Sequence, residues 1–353
     1  RDRLRSRGLG DVYKRQLPLN VTKKSKVLML CPYTNEQSQM LMGWNRAKKA
    51  GLIPDGAEVK VQCFMNHDDL ETVKENIDWA DTVIINSEIY GTYYTNYKHW
   101  LSAGPNNFTK YCKENNKTSV IMSVDLPYDV QLYPYADAIL AVYGDIGSSV
   151  DPTEAIVGGT TTSKEAYGPN IIAGVEVALG TFGATGTLPV NVTKYDADSN
   201  SYTDEIVYKR GHGITYDAKT INRDELENKV AELEKLEKGN YTDASWSVFE
   251  IALNDAKEVL SKVSSQEDID EALATLNKAY EALTENKKEE PTNPSDKKDE
   301  STNKKDETVK TETKKNTQKS KVKTGDNTAI TAFAVMMFIS GCVFVLARRK
   351  RND

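Results

Sequence analysis

Short, almost wholly apolar runs recur along the first part of the chain: Lys26 to Cys31, Val59 to Phe64, Thr82 to Asn86, Ser119 to Val124 and Ala138 to Val142. They do not alternate apolar with polar, and such runs predict strands buried on both faces of a parallel sheet. Between them lie longer segments of helical period, Gln37 to Ala50, Asp68 to Ala80 and Tyr97 to Asn115. Pro105 is expected to break the last of these into two pieces, because it lacks an amide hydrogen and its ring collides with the preceding turn. Strand and helix alternate, so the pattern predicts an α/β fold, a doubly wound and mostly parallel sheet sandwich. Gly168 and Pro169, in Ala166 to Asn170, mark a turn into a further helix with the apolar stripe Ile171, Ile172, Val175, Ala178 and Leu179. Gly183 and Gly186 then allow a tight return into an edge or terminal strand over Leu188 to Val192, where Pro189 is tolerated.

The period changes after Tyr216. From Asn222 to Asn286 apolar residues recur at spacings of three and four, which predicts a small three-helix bundle. Trp246 and Tyr241 are read as core aromatics of that bundle, with a sugar-stacking face as the alternative. Lys287 to Lys323 is almost wholly Lys, Glu, Asp, Thr, Ser and Asn, a composition that buries too little apolar area to fold and predicts a disordered, solvated stalk. Ala329 to Ala347 carries no charge and as a helix would reach roughly 29 Å, the hydrocarbon thickness of a bilayer. The cluster Arg348, Arg349, Lys350 and Arg351 directly after it predicts a transmembrane helix with a cytoplasmic end, all that precedes it lying outside the cell.

Charge and cysteine content narrow the classes. A net charge of -6 over 353 residues, with no basic surplus beyond the first sixteen, gives no reason to expect nucleic acid as a partner. Asp11 to Gln16 is what GAT GTG TAT AAG AGA CAG encodes and is similar to a transposon-end sequencing adapter. Residues 1–16 are therefore set apart, with a genuine basic arm as the alternative, and 17–23 as the end of a lost upstream region. Cys31, Cys63, Cys112 and Cys342 show no Cys-x-x-Cys spacing, and the first three are read as small core residues. The first strand runs into Pro32-Tyr33-Thr34-Asn35-Glu36, which has no glycine to bring phosphate onto a helix start. Gly158 to Ser163 lacks the lysine of a phosphate loop, and Gly180, Gly183 and Gly186 precede a strand rather than a helix, so no nucleotide site is expected.

Among ionisable residues, Glu88 follows a strand where a loop could reach a neighbouring cleft, the alternative being a solvated loop acid. Asp125 and Asp129 flank Pro127 and are read as turn formers. His67 and His99 stand in no ligand spacing. No catalytic, cofactor-binding or metal residue is assigned, and no cofactor is expected.

The most specific pattern is Asp137 to Gly144, then Ala166-Tyr167-Gly168-Pro169-Asn170, a helix, Gly186-Thr187-Leu188-Pro189-Val190, and Gly211-His212-Gly213-Ile214-Thr215-Tyr216. Over residues 24–216 this order resembles the C-terminal α/β sandwich of glycoside hydrolase family 3, closest to its β-N-acetylhexosaminidase branch. The resemblance implies hydrolysis of β-linked sugars by an upstream barrel that these 353 residues do not include. It implies an auxiliary sandwich, inert alone; in other branches a sandwich glutamate is the acid/base, and no glutamate maps onto that role. Residues 222–286 resemble the FIVAR module of Gram-positive surface proteins. Residues 324–353 resemble a sorting signal in which sortase cuts between Thr324 and Gly325 and links the chain to peptidoglycan, although Lys321 and Val322 stand where leucine and proline are expected. Together these imply a cell-surface protein with a β-linked glycan, sortase, peptidoglycan and the membrane at 329–347 as partners. Two functions stay open: the C-terminal fragment of a cell-surface glycosidase, or a non-catalytic carbohydrate-binding or adhesion protein.

Overall fold

The computed structural model describes residues 17–144 and 169–286. The adapter-like start, Gly158 to Ser163, Ala166 to Gly168, the stalk, Thr324, Gly325 and the apolar span 329–347 lie outside the described residues. Among the described residues no helix is long and apolar enough to cross a membrane.

The chain alternates as β1 (Lys26–Cys31), α1 (Glu36–Lys49), β2 (Glu58–Cys63), α2 (Lys74–Trp79), β3 (Thr82–Ile89), α3 (Trp100–Glu114), β4 (Thr118–Asp125), β5 (Ala138–Ala141) and α4 (Pro169–Leu179). The strands form one sheet in the order β2-β1-β3-β4-β5, and all four pairings are parallel. The winding direction reverses between β1 and β3, which makes that junction the topological switch point. Val27, Met29, Ile84, Val120 and Met122 pack with Met40, Trp44 and Ala47 of α1 and Ile171, Val175 and Ala178 of α4. The alternate residues Leu28, Leu30, Val83, Ile85 and Ile121 pack on the other side with Ile77 of α2 and Phe108 and Cys112 of α3. Both faces of β1, β3 and β4 are covered, which is why these strands read as unbroken apolar runs; the edge strand β2 alternates instead, with Glu58 and Lys60 exposed.

Three expectations need correction. Pro105 does not break the third helix, which is continuous over Trp100–Glu114. Gly104 before it has no Cβ to clash with the ring, and buried Leu101, Phe108 and Cys112 hold both sides. The helix expected over 68–80 is a 3-10 turn at Leu70–Thr72, started by the Asp69 carboxylate accepting from the Glu71 amide, followed by the short α2. The strand expected over 188–192 begins only at Val192. Leu188 is instead held by its amide on the His212 carbonyl at 2.8 Å and its carbonyl on the Gly211 amide at 2.8 Å. The strand there is β6 (Val192–Asp196), paired antiparallel with β7 (Ser201–Tyr208) in a hairpin apart from the main sheet.

The helical region forms α5 (Asp224–Leu233), α6 (Asp243–Ser261) and α7 (Gln266–Glu281) around Leu226, Phe249, Leu253, Ile269 and Leu276. Thr242 caps α6, and Ser265 with Asp268 forms a capping box on α7. The chain leaves this bundle along a short antiparallel ladder: the Thr242 amide donates to Thr284 O at 2.8 Å and the Asn286 amide to Asn240 O at 2.9 Å. Lys23 ties bundle to sandwich, its amide donating to Glu267 Oε2 at 2.7 Å and its ammonium reaching Asp268 at 3.0 Å and also Glu271.

α1 and α4 cross closely at Gly43, where an added Cβ would lie 2.6 Å from Val175 Cβ and 2.8 Å from Ile172 O. Alanine in place of an interior helical glycine gains about 1 kcal/mol in propensity. The overlap costs about 1–3 kcal/mol, and one of its two partners is backbone that cannot rotate away. Gly43→Ala should therefore lower the denaturant midpoint; an unchanged or raised midpoint would show that the helices can separate freely.

Candidate functional site

In open parallel sheets ligands sit outside the carboxyl ends of the strands, at the switch point. There β1 ends at Cys31, β3 ends at Ile89, and α1 starts with Glu36. Even alternation along β3 sends Ile84, Asn86 and Glu88 to the α1 side. At the end of the strand this replaces hydrocarbon by an amide and a carboxyl group. Glu36 is fully buried and Glu88 is 2% exposed, and their carboxyl groups are hydrogen-bonded to one another. Asn86, also buried, donates its amide to Glu36 Oε2 at 2.6 Å. Burial first, and then the neighbouring Glu88 charge, hold the Glu36 carboxyl well above the usual carboxylate range. Glu36 Oε1 and Asn86 Oδ1 are buried without a hydrogen-bond partner. Glu88 is thus not a solvated loop acid: it lies inside β3, one residue from the strand's carboxyl end, and is buried.

Beside this pair, Cys31 and Cys63 face each other across the parallel β1–β2 ladder. Cys31 is buried, and its thiol is pushed up by burial; Cys63 is only partly buried, and the hydrogen bond with Cys31 draws its thiol down to about 7. Cys31 and Cys112 are core residues as expected, whereas Cys63 sits on an edge strand and opens partly to solvent.

Aromatic rings crowd the same edge. Tyr33 meets Trp100 edge to face at 5.9 Å, Tyr90 lies 4.2 Å from Tyr94, and Tyr94 packs on His99 at 4.8 Å. Tyr93 is 72% exposed and Tyr90 47% exposed. The His99 ring accepts from the Leu101 amide at 3.3 Å and caps α3; burial holds its pKa below the ordinary value. His67 is exposed, with its backbone against α3 at Gly104.

On the opposite face Asp129 lies in the 3-10 turn Pro127–Gln131, as its turn reading expects, but its side chain turns inward. This carboxyl is fully buried and accepts from Ser87 Oγ at 2.5 Å and Ser123 Oγ at 2.5 Å, and Tyr133 joins the network through Ser87. Burial raises its pKa to about 7 against the lowering effect of the two serines. Asp125 does close its strand in a left-handed turn, at φ 76°.

The two late motifs meet in space. Gly211 and His212 hold Leu188 by backbone hydrogen bonds, and a Cβ on Gly213 would lie 2.5 Å from Gly186 O. His212 stacks on Tyr208 at 5.4 Å, as part of this closure. A cleft of about 780 Å³ runs between this closure and Val142, Asn170 and Gly174. Its described lining brings no two carboxyl groups together, and the ionisable cluster of the sandwich lies at the switch point instead. In the bundle, half-buried Trp246 packs on the core and leans on buried Phe249 at 5.2 Å, while Tyr241, also half-buried, stacks on Trp246 at 6.0 Å outside that core.

Glycosidic cleavage takes two carboxyl groups about 5–5.5 Å apart with retention, or about 6.5–9.5 Å with inversion. Glu36 and Glu88 are in hydrogen-bond contact and buried, leaving no space for a sugar ring between them. Among the described residues no group of three or more His, Cys, Asp or Glu is placed to hold a metal ion. Glu36 carries only a weak signal in sequence, an acid just beyond the first strand in a segment without glycine. No protein-family model and no curated protein matches this chain.

Asp129 has a folded-state pKa of about 7 against an ordinary 3.8, so it binds its proton more tightly when folded. Its contribution is complete below the ordinary value and is lost as pH rises toward 7. Asp129→Asn should shrink the fall in Tm between pH 5 and pH 8, read by calorimetry; an identical fall in both proteins would assign the pH dependence elsewhere.

Proposed function

We propose that this chain is the auxiliary sandwich and surface-attachment part of a cell-surface glycoside hydrolase acting on β-linked sugars, of the β-N-acetylhexosaminidase type. The observation that carries the reading is the closure of the sandwich by its two most specific motifs, where Leu188 is clasped by Gly211 and His212. The two late motifs of the resemblance meet in one structural unit, as an inherited domain end requires. The buried contact between Glu36 and Glu88 is consistent with an auxiliary role, since that pair has no room for a glycosidic oxygen. The catalytic barrel belongs to the parent protein. On this reading the bundle is a FIVAR-like module, and the C-terminal region is a sorting signal cut between Thr324 and Gly325.

A second reading is a non-catalytic carbohydrate-binding or adhesion protein, favoured by the exposed rings of Tyr90 and Tyr93 on the switch-point rim. The two readings part on activity. The full upstream reading frame should encode a protein that releases chromophore from a chromogenic β-N-acetylglucosaminide, while the present chain releases none. A parent protein inactive on every β-glycoside tried would sink the glycosidase reading and leave the binding one.

A further inference from the structure

We propose that the switch point is a binding site for a small divalent cation, calcium or magnesium, held by the Glu36 and Glu88 carboxylates and the Asn86 side-chain oxygen. The inference does not depend on the glycosidase reading. It starts from what burial demands. Two carboxyl groups brought into contact out of water need positive charge between them, either a proton or a metal ion. A single shared proton leaves Glu36 Oε1 and Asn86 Oδ1 unsatisfied inside the protein. Asn86 already gives its amide hydrogen to Glu36 Oε2 at 2.6 Å, so its carbonyl oxygen belongs to the same cluster and offers only lone pairs.

A cation bridging the carboxylates would use both orphaned atoms at once. The donors are carboxylate and amide oxygens, the hard set that calcium and magnesium take. Gln39, fully buried, stands one turn along α1 from Glu36 on the same side of the helix. The site has two acidic ligands rather than three, and its remaining donors are amides. Tyr33 and Tyr90, hydrogen-bonded to each other, lie beside the pair, and Tyr33 feels the Glu88 charge.

Terbium tests this directly, because it takes calcium sites and emits when nearby tyrosine or tryptophan absorbs. The full chain, stripped with chelator at neutral pH, should give saturable terbium emission that calcium displaces. Calcium or magnesium alone should raise Tm by roughly 5–10 °C at about a hundred times Kd. Glu36→Gln, which keeps the shape and removes the charge, should weaken terbium binding at least about tenfold and abolish the Tm rise. Glu88→Gln serves as the second variant if the first does not fold. An unchanged Tm with either metal up to about 10 mM overturns the proposal and leaves a pair that shares a proton. Terbium emission equally strong in both variants overturns it as well, since the ion would then sit elsewhere.

Discussion

Burying the central sheet on both faces is the constraint from which the rest follows. Once α1 and α4 cover one side of β3 and β4, and α2 and α3 the other, every side chain between the strand ends is buried, and only Thr82, Thr118 and Asp125 at those ends are partly exposed. Hydrocarbon satisfies that condition along most of each strand. At the carboxyl end of β3 it does not, because Asn86, Ser87 and Glu88 follow the apolar run. Pleat alternation divides them: Ser87 joins Asp129, Ser123 and Tyr133 on one side, and Asn86 and Glu88 meet Glu36 on the other. The two polar clusters are therefore products of one strand ending inside a closed fold.

They differ in how completely they are satisfied. Both Asp129 oxygens receive a serine hydroxyl, so this cluster reads as a structural network holding β3, β4 and the following turn together. The Glu36 cluster retains orphaned oxygens, at the place where sheets of this winding bind ligands. That imbalance, rather than the number of acids, separates a candidate site from a piece of core.

Much of the fold was legible because two-sided burial writes a strong signal. β1 coincides with its expected span, and the ends of β2, β4 and β5 fall within a residue of theirs. β3 runs further than expected, to Ile89, because its last residues are polar and hydrophobicity stops reporting the strand at Asn86. The same blindness hid the site: Glu88 looked like a loop acid because a buried strand was not expected to end in polar residues. Asp129 looked like a turn former because its neighbours Pro127 and Asp125 do form a turn, while its partners Ser87 and Ser123 come from two different strands. Pro105 is tolerated because the preceding glycine has no Cβ to meet the ring and because burial of Leu101, Phe108 and Cys112 holds the helix on both sides, neither of which a proline's helix-breaking tendency reports.

The ladder at the exit of the bundle bears on mechanics. The chain leaves beside its own entry into α6, through Thr242 with Thr284 and Asn240 with Asn286. If the chain is tethered beyond Asn286 and pulled from the other end, tension would reach these two hydrogen bonds before the core around Phe249 and Leu276. Whether they open one after the other or shear together depends on the direction of pull, as with the last stitches of a seam. The short pairing of Asn240–Thr242 with Thr284–Asn286 would then act as a mechanical fuse, yielding first and sparing the helices behind it.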